Sequence, residues 1–213
     1  MWADSVALEC NNFAPNVALY GNKTIVCIAG GASLTADDAA YCEGRADVLA
    51  INRSFEVAPF ARWLYACDGD FWRTYLHALT FHGEKWTQDK PAAQKYGLHY
   101  VESRPGTTLG TSFVGWGQTA ENGGGNSGFQ ALNLALHFGA TRVLLLGYDM
   151  GGKHWHEDHT GHCANPLPHN FDAWIRGFEA AVPQLERLGV EVINCSRRTR
   201  LHCFRRAPID KVL

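Results

Sequence analysis

Several things are missing from this 213-residue sequence, and each absence removes a class of protein. No run approaches the roughly 18–20 apolar residues of a membrane span, and no basic segment followed by an apolar stretch opens the chain, so neither a span nor a signal peptide is expected. Charge is scarce and balanced, at 19% charged residues and a formal net charge of −2. That excludes a binder working by bulk electrostatics and leaves only local basic patches. With 12% aromatic residues the composition is not that of a disordered chain. The seven cysteines contain no C-x-x-C pair and are odd in number, so neither a zinc ribbon nor a disulfide scaffold is expected. A reducing cytoplasm suits them, with Cys27, Cys67 and Cys195 in apolar runs acting as small hydrophobes.

What remains is a globular chain of one-domain size, 1–213, able to bury roughly 70% of its unfolded surface. Thr24–Ala29, Val48–Asn52, Trp63–Cys67, Arg142–Leu146 and Val190–Asn194 read as buried strands. Gly128–Phe138 and Asn170–Leu188 carry apolar residues at helical spacing, and each stops at a glycine (Gly139, Gly189) just before a strand. Continuous apolar strands alternating with amphipathic helices predict an α/β fold. The expected form is one Rossmann-like domain with a mostly parallel sheet, helices on both faces, and an aperiodic, lid-like, His-rich segment over about 150–169.

Two counts stand out: 22 glycines and 10 histidines, five of them between His154 and His169. The first glycine cluster, Gly30-Gly31-Ala32-Ser33, follows the first strand. Glycines there let a ligand approach the backbone, and Ser33 offers a hydroxyl to a phosphate or a cap to a helix. The second, Gly123-Gly124-Gly125-Asn126-Ser127-Gly128, opens a helix whose free N–H groups suit an anion. A tight turn or a flexible loop is the plainer reading of each. Neither is a G-x-G-x-x-G fingerprint or a Walker A loop. Asn52, ending the second strand, has a donor and an acceptor for a base or ribose, or is a turn former. Asp68 and Asp70 follow the third strand and could orient a hydroxyl, hold Mg²⁺, or simply make a turn. Gly147-Tyr148-Asp149-Met150 leads into the histidines, which are neither H-E-x-x-H nor a deaminase pattern. Acid–base work by His156, His159 or His162 is the first reading of that loop. A metal site (His154 with His156, or His156, Asp158 and His159) and a solvated loop are its rivals. The basic stretch Ser196–Arg206, with Arg197 and Arg198 first, could hold phosphates or a nucleic-acid backbone, or be a solvated face.

The ordered series G-G-x-S-L, I-N, A-C-D with a tryptophan, G-N-S-G, L-G-A-x-R-V-x-L-L-G-Y-D-M, a His-rich segment and V-I-N-C-S resembles a broad group of Rossmann-like transferases. The likeness runs from about Thr24 to the C-terminus. The group includes small bacterial sialyltransferases that use CMP-sialic acid, archaeal-type 6-hydroxymethylpterin diphosphokinases and flagellin-glycosylation accessory factors. Many bacteriophage proteins carry the same pattern. The sialyltransferase resemblance implies a nucleotide held by Gly30, Gly31, Ser33, Asn52, Asn126, Ser127 and Gly128. It also implies a metal-free histidine base, with His162 the nearest local match and His159 and His169 competing. The diphosphokinase resemblance implies ATP and Mg²⁺, with Asp68 or Asp149 as metal ligands. The expected activity is transfer of a sugar from a nucleotide-sugar donor to an acceptor hydroxyl, with Asp68 and Asp149 orienting substrate and Arg197 and Arg198 meeting phosphate or acceptor. The acceptor is a glycan or, in a phage setting, a hydroxylated DNA base. The alternatives are a Mg²⁺-dependent ATP diphosphokinase and a non-catalytic protein that sequesters a nucleotide. The oligomeric state is not encoded in any recognisable pattern.

Overall fold

The computed structural model describes residues 22–119 and 125–213, so Gly123 and Gly124 of the second glycine cluster lie outside the described residues. Eight strands form one sheet: β1 (Thr24–Ile28), β2 (Asp47–Ile51), β3 (Trp63–Tyr65), β4 (Glu84–Thr87), β5 (His99–Tyr100), β8 (Arg142–Leu146), β9 (Glu191–Asn194) and β10 (Arg205–Arg206). Their order is β10-β9-β8-β1-β2-β3-β4-β5, and every pairing is parallel. A separate two-stranded ladder joins β6 (Ser103–Arg104) to β7 (Val114–Gly115).

After a polar first residue, β1, β2 and β8 are apolar because both faces are covered, as expected of parallel sheets. Ile25 and Cys27 of β1 point into one core, with Phe129 and Leu132 of α4 (Ser127–His137) and Phe178 and Leu185 of α5 (Pro168–Arg187). Val26 and Ile28 point into the other, with Ala39 of α1 (Ala36–Tyr41), Phe71 and Trp72 of α2 (Gly69–Thr74) and Ala92 and Ala93 of α3 (Lys90–Tyr96). Helices therefore lie on both faces, and the α/β expectation holds. No helix among the described residues is long and apolar enough to cross a membrane.

The strand order fixes where a site can form. From β1 the chain adds β2, β3, β4 and β5 on one side, then returns to lay β8, β9 and β10 on the other. The turns leaving β1 and β8 therefore diverge, opening a crevice at the carboxyl ends of adjacent strands, the usual ligand position in open α/β sheets.

Candidate functional site

The two diverging turns are pinned together before they open. Gly31 donates its N–H to the Gly147 carbonyl at 2.8 Å. Ser33 donates its N–H to one Asp149 oxygen at 2.8 Å and its hydroxyl to the other at 2.7 Å, both residues being buried. Gly147 sits at φ +70°, where a side chain would be strained, and a Cβ there would lie 2.4 Å from the Ala29 carbonyl oxygen. A Cβ on Gly31 would lie 2.4 Å from the Asp149 carboxylate. Ser33 and Asp149 thus form a latch below the crevice. The Ser33 hydroxyl is spent on it, and Ser33 is absent from the crevice lining. The α1 cap is not Ser33 but Thr35, whose hydroxyl accepts from the Asp38 N–H at 3.1 Å. Burial raises the Asp149 carboxyl above its ordinary value, with the Ser33 hydrogen bonds opposing that rise.

Above the latch the cleft has a volume of about 330 Å³. Of the residues expected to bind a nucleotide, Gly30, Gly31, Asn52, Asn126, Ser127 and Gly128 line it, as do Asp68 and Asp149. Asn52 and Met150 are the non-glycine residues with positive φ among those described (+51° and +53°), and both lie on the cleft wall. Left-handed backbone at non-glycine residues tends to gather at functional sites. Asn126 caps α4 by accepting from the Phe129 N–H at 2.8 Å, and Asn126, Ser127 and Gly128 of this helix start line the cleft. The irregular segment after β8 builds the opposite wall with Lys153, His154, His159 and the Ala164–Pro166 stretch, and α5 contributes Asn170, Phe171 and Trp174. The Trp174 indole N–H is buried without a hydrogen-bond partner. The sequence offered no signal for Lys153 or Trp174 beyond their proximity to the histidines.

The histidines divide. His154, His156 and His159 pack ring to ring, with centroids 4.7–4.9 Å apart. The chain brings them there by doubling back: Gly31 bridges His154 in antiparallel fashion, and Trp155 donates its N–H to the Gly30 carbonyl at 3.0 Å. Tyr75, beyond α2, meets His159 Nδ1 through its hydroxyl at 2.8 Å. Burial lowers the pKa of all three rings. His159 falls furthest, to about 4, because burial is joined by repulsion from His154, His156 and Arg53. His162 and His169 are exposed and outside the cleft lining, so His162 does not occupy the place expected of it. His154, which the sequence offered only as a metal ligand, takes a central position instead.

The arginines also move away from their expected role. Arg197 grips Asp38 of α1 through two hydrogen bonds, 2.7 and 3.0 Å. Burial acts to raise the Asp38 carboxyl, but the Arg197 hydrogen bond, the Thr35 hydroxyl and the Arg197 charge outweigh it and hold the group below its ordinary value. The Arg198 carbonyl accepts from Ser33 at 3.4 Å. Arg200 pairs with Asp172, and Arg205 pairs with Glu191 across the sheet edge. Neither Arg197 nor Arg198 lines the cleft, where Lys153 supplies positive charge. The Val192–Ser196 segment is structural too, since Ser196 Oγ accepts the Tyr148 N–H at 2.8 Å and Asn194 Nδ2 donates to Thr199 and to the Leu201 carbonyl. The chain matches no family model, no curated protein and no solved structure.

Proposed function

We propose that this chain is a nucleotide-sugar-dependent glycosyltransferase whose donor binds in the cleft between the β1 and β8 turns. The observation that carries the reading is convergence. A glycine turn, a capped helix N-terminus, a left-handed asparagine and two imidazoles, His154 and His159, drawn from distant parts of the sequence, share one cleft at the sheet's switch point. The donor phosphate fits the first turn of α4, where unpaired amides and the helix dipole favour negative charge, with Lys153 opposite. Asn52 has the donor and acceptor needed for a base or ribose edge, and Trp174 adds an aromatic face with an unsatisfied N–H. The acceptor hydroxyl meets the imidazole cluster and gives up its proton there as its oxygen attacks the anomeric carbon. As the new bond forms, the bond from that carbon to the donor phosphate oxygen breaks, and the nucleotide leaves with its charge at α4.

The diphosphokinase alternative needs oxygen ligands for Mg²⁺. Asp68 is exposed on the cleft, but both oxygens of Asp149 are committed to Ser33. Thermal-shift measurements with CMP, UDP, GDP and ATP, with and without Mg²⁺, test the reading. A nucleotide should raise the melting temperature, and its sugar conjugate should be slowly hydrolysed. Binding confined to ATP with Mg²⁺, followed by pyrophosphate transfer, would replace the proposal with the kinase. A stoichiometric nucleotide that never turns over would replace it with a sequestering protein.

A further inference from the structure

The geometry points to a transition-metal site, best suited to Zn²⁺, formed by the Nε2 atoms of His154, His156 and His159, with an open coordination position toward the cleft. One ligating atom from each of the three side chains lies within 4.8 Å of the other two. Tetrahedral zinc with Zn–N bonds of about 2.0–2.1 Å needs nitrogens about 3.4 Å apart, so modest side-chain rotation would close the set.

The hydrogen bonds decide which nitrogens are available. His154 Nδ1 faces the Gly30 carbonyl at 3.3 Å, and His156 Nδ1 faces the Glu157 carbonyl at 2.6 Å. A carbonyl can only accept, so both rings carry their proton on Nδ1 and leave Nε2 with a free lone pair. His159 Nδ1 is occupied by the Tyr75 hydroxyl. This is the outer shell that orients metal-binding imidazoles, in which the nitrogen away from the ion is held by a carbonyl or hydroxyl. His154 Nε2 is buried and has no partner.

Competing explanations fit less well. Three nitrogen donors suit zinc and not Mg²⁺ or Ca²⁺, which take oxygen. The nearby cation, Arg53, is engaged by Glu56 through two 2.8 Å hydrogen bonds. Gly30 leaves room beside the rings, since a Cβ there would lie 3.2 Å from His154 Nδ1 and 3.7 Å from His156 Nε2. Since His154 and His159 line the cleft, an oxygen ligand could complete the coordination. Identifying that ligand as the acceptor hydroxyl rests on the transferase reading, but the metal site does not.

The test uses full-length protein, stripped with chelator, desalted and titrated with Co²⁺ and Zn²⁺. The expected result is one ion per chain, a tetrahedral Co²⁺ absorption band bleached by Zn²⁺, and a higher melting temperature with metal. Alanine at His154, His156 or His159 should each abolish the band, and His202→Ala, on an exposed surface, should leave it. Tyr75→Phe keeps the ring packing, removes only the hydroxyl on His159, and should weaken binding roughly tenfold. A folded wild-type protein that shows no Co²⁺ band and no saturable Zn²⁺ heat overturns the inference. So does a band that survives all three alanine variants. Metal binding without nucleotide binding would sink the transferase reading alone, and nucleotide binding without metal would sink this one alone.

Discussion

The Ser33–Asp149 latch can be broken from either side, and the two breaks should interfere with each other. Asp149→Ala removes both acceptors from Ser33. The hydroxyl can turn to the Arg198 carbonyl, 3.4 Å away, so the amide is the stranded donor. A buried donor left without a partner costs about 1–3 kcal/mol, and hydrogen bonds to a charged acceptor are worth about 1.5–3 kcal/mol. Against this, the variant no longer buries a carboxylate whose ionisation burial already opposes. The net expectation is a loss of about 1–3 kcal/mol at neutral pH. Gly31→Ala strikes the same place by volume, since its Cβ meets Asp149 Oδ1 at 2.4 Å and the Gly147 carbonyl at 2.5 Å. Overpacking of this kind costs about 1–3 kcal/mol. The double variant removes one of the two clashing groups, so its loss should fall short of the sum by at least about 0.5 kcal/mol. Asp149→Asn keeps an acceptor for the Ser33 amide, and its NH₂ can donate to the Ser33 hydroxyl, so it should stay within about 1 kcal/mol of wild type. Urea unfolding of the four variants supplies the free energies. An Asp149→Ala protein within about 0.5 kcal/mol of wild type, or strict additivity in the double variant, would refute the latch.

Two further expectations concern α4 and the arginine stretch. Asn126→Ala should cost about 1 kcal/mol of stability by removing the cap on the Phe129 amide, with Asn126→Asp restoring most of it; nucleotide thermal shifts should shrink in the alanine variant if that helix end receives phosphate. The Arg197–Asp38 pair should make stability pH-dependent. A carboxyl held below its ordinary value contributes fully above about pH 4 and loses that contribution as pH falls through the depressed value. Urea midpoints of wild type and Arg197→Met should therefore differ most near neutral pH and converge in acid, and a constant difference would count against the pair.

The parts of the fold that were legible are those buried on two sides. β1, β2, β8 and β9 announce themselves as apolar runs because both faces of the central sheet are covered, α5 because it turns a periodic stripe toward one core, and α4 because it is buried on all sides from Gly128 to Leu136. The edges were silent. β5 is His99-Tyr100 with both residues exposed, and β10 is Arg205-Arg206, which reads as a basic patch, not a strand. An edge strand has no second apolar neighbour to impose a pattern. At the site, the sequence placed the glycine turns, Asn52 and the α4 entrance on one cleft because strand ends dictate those positions. It did not reveal that Ser33 and Arg197 are turned to other partners or that His162 lies outside the cleft, because hydrogen-bond partners 116 and 159 residues away, and the direction of an aperiodic loop, leave no local trace. Tyr75, which orients His159, belongs to a turn whose sequence carries no hint of the distant ring.

The strand order also has a consequence for how the chain assembles. As synthesis proceeds, β1 can pair at once with β2, and β3, β4 and β5 can follow, since these contacts are near in sequence. Its other edge stays open until Thr24 meets Arg142. That seam closes late because it joins segments far apart along the chain. Until then a strand apolar from Ile25 to Ile28 presents an unpaired edge, the place where a neighbouring chain would add wrongly. A small molecule bridging the turns above this seam would hold the two halves of the sheet together, so any ligand of the kind proposed would double as a guard against misassembly.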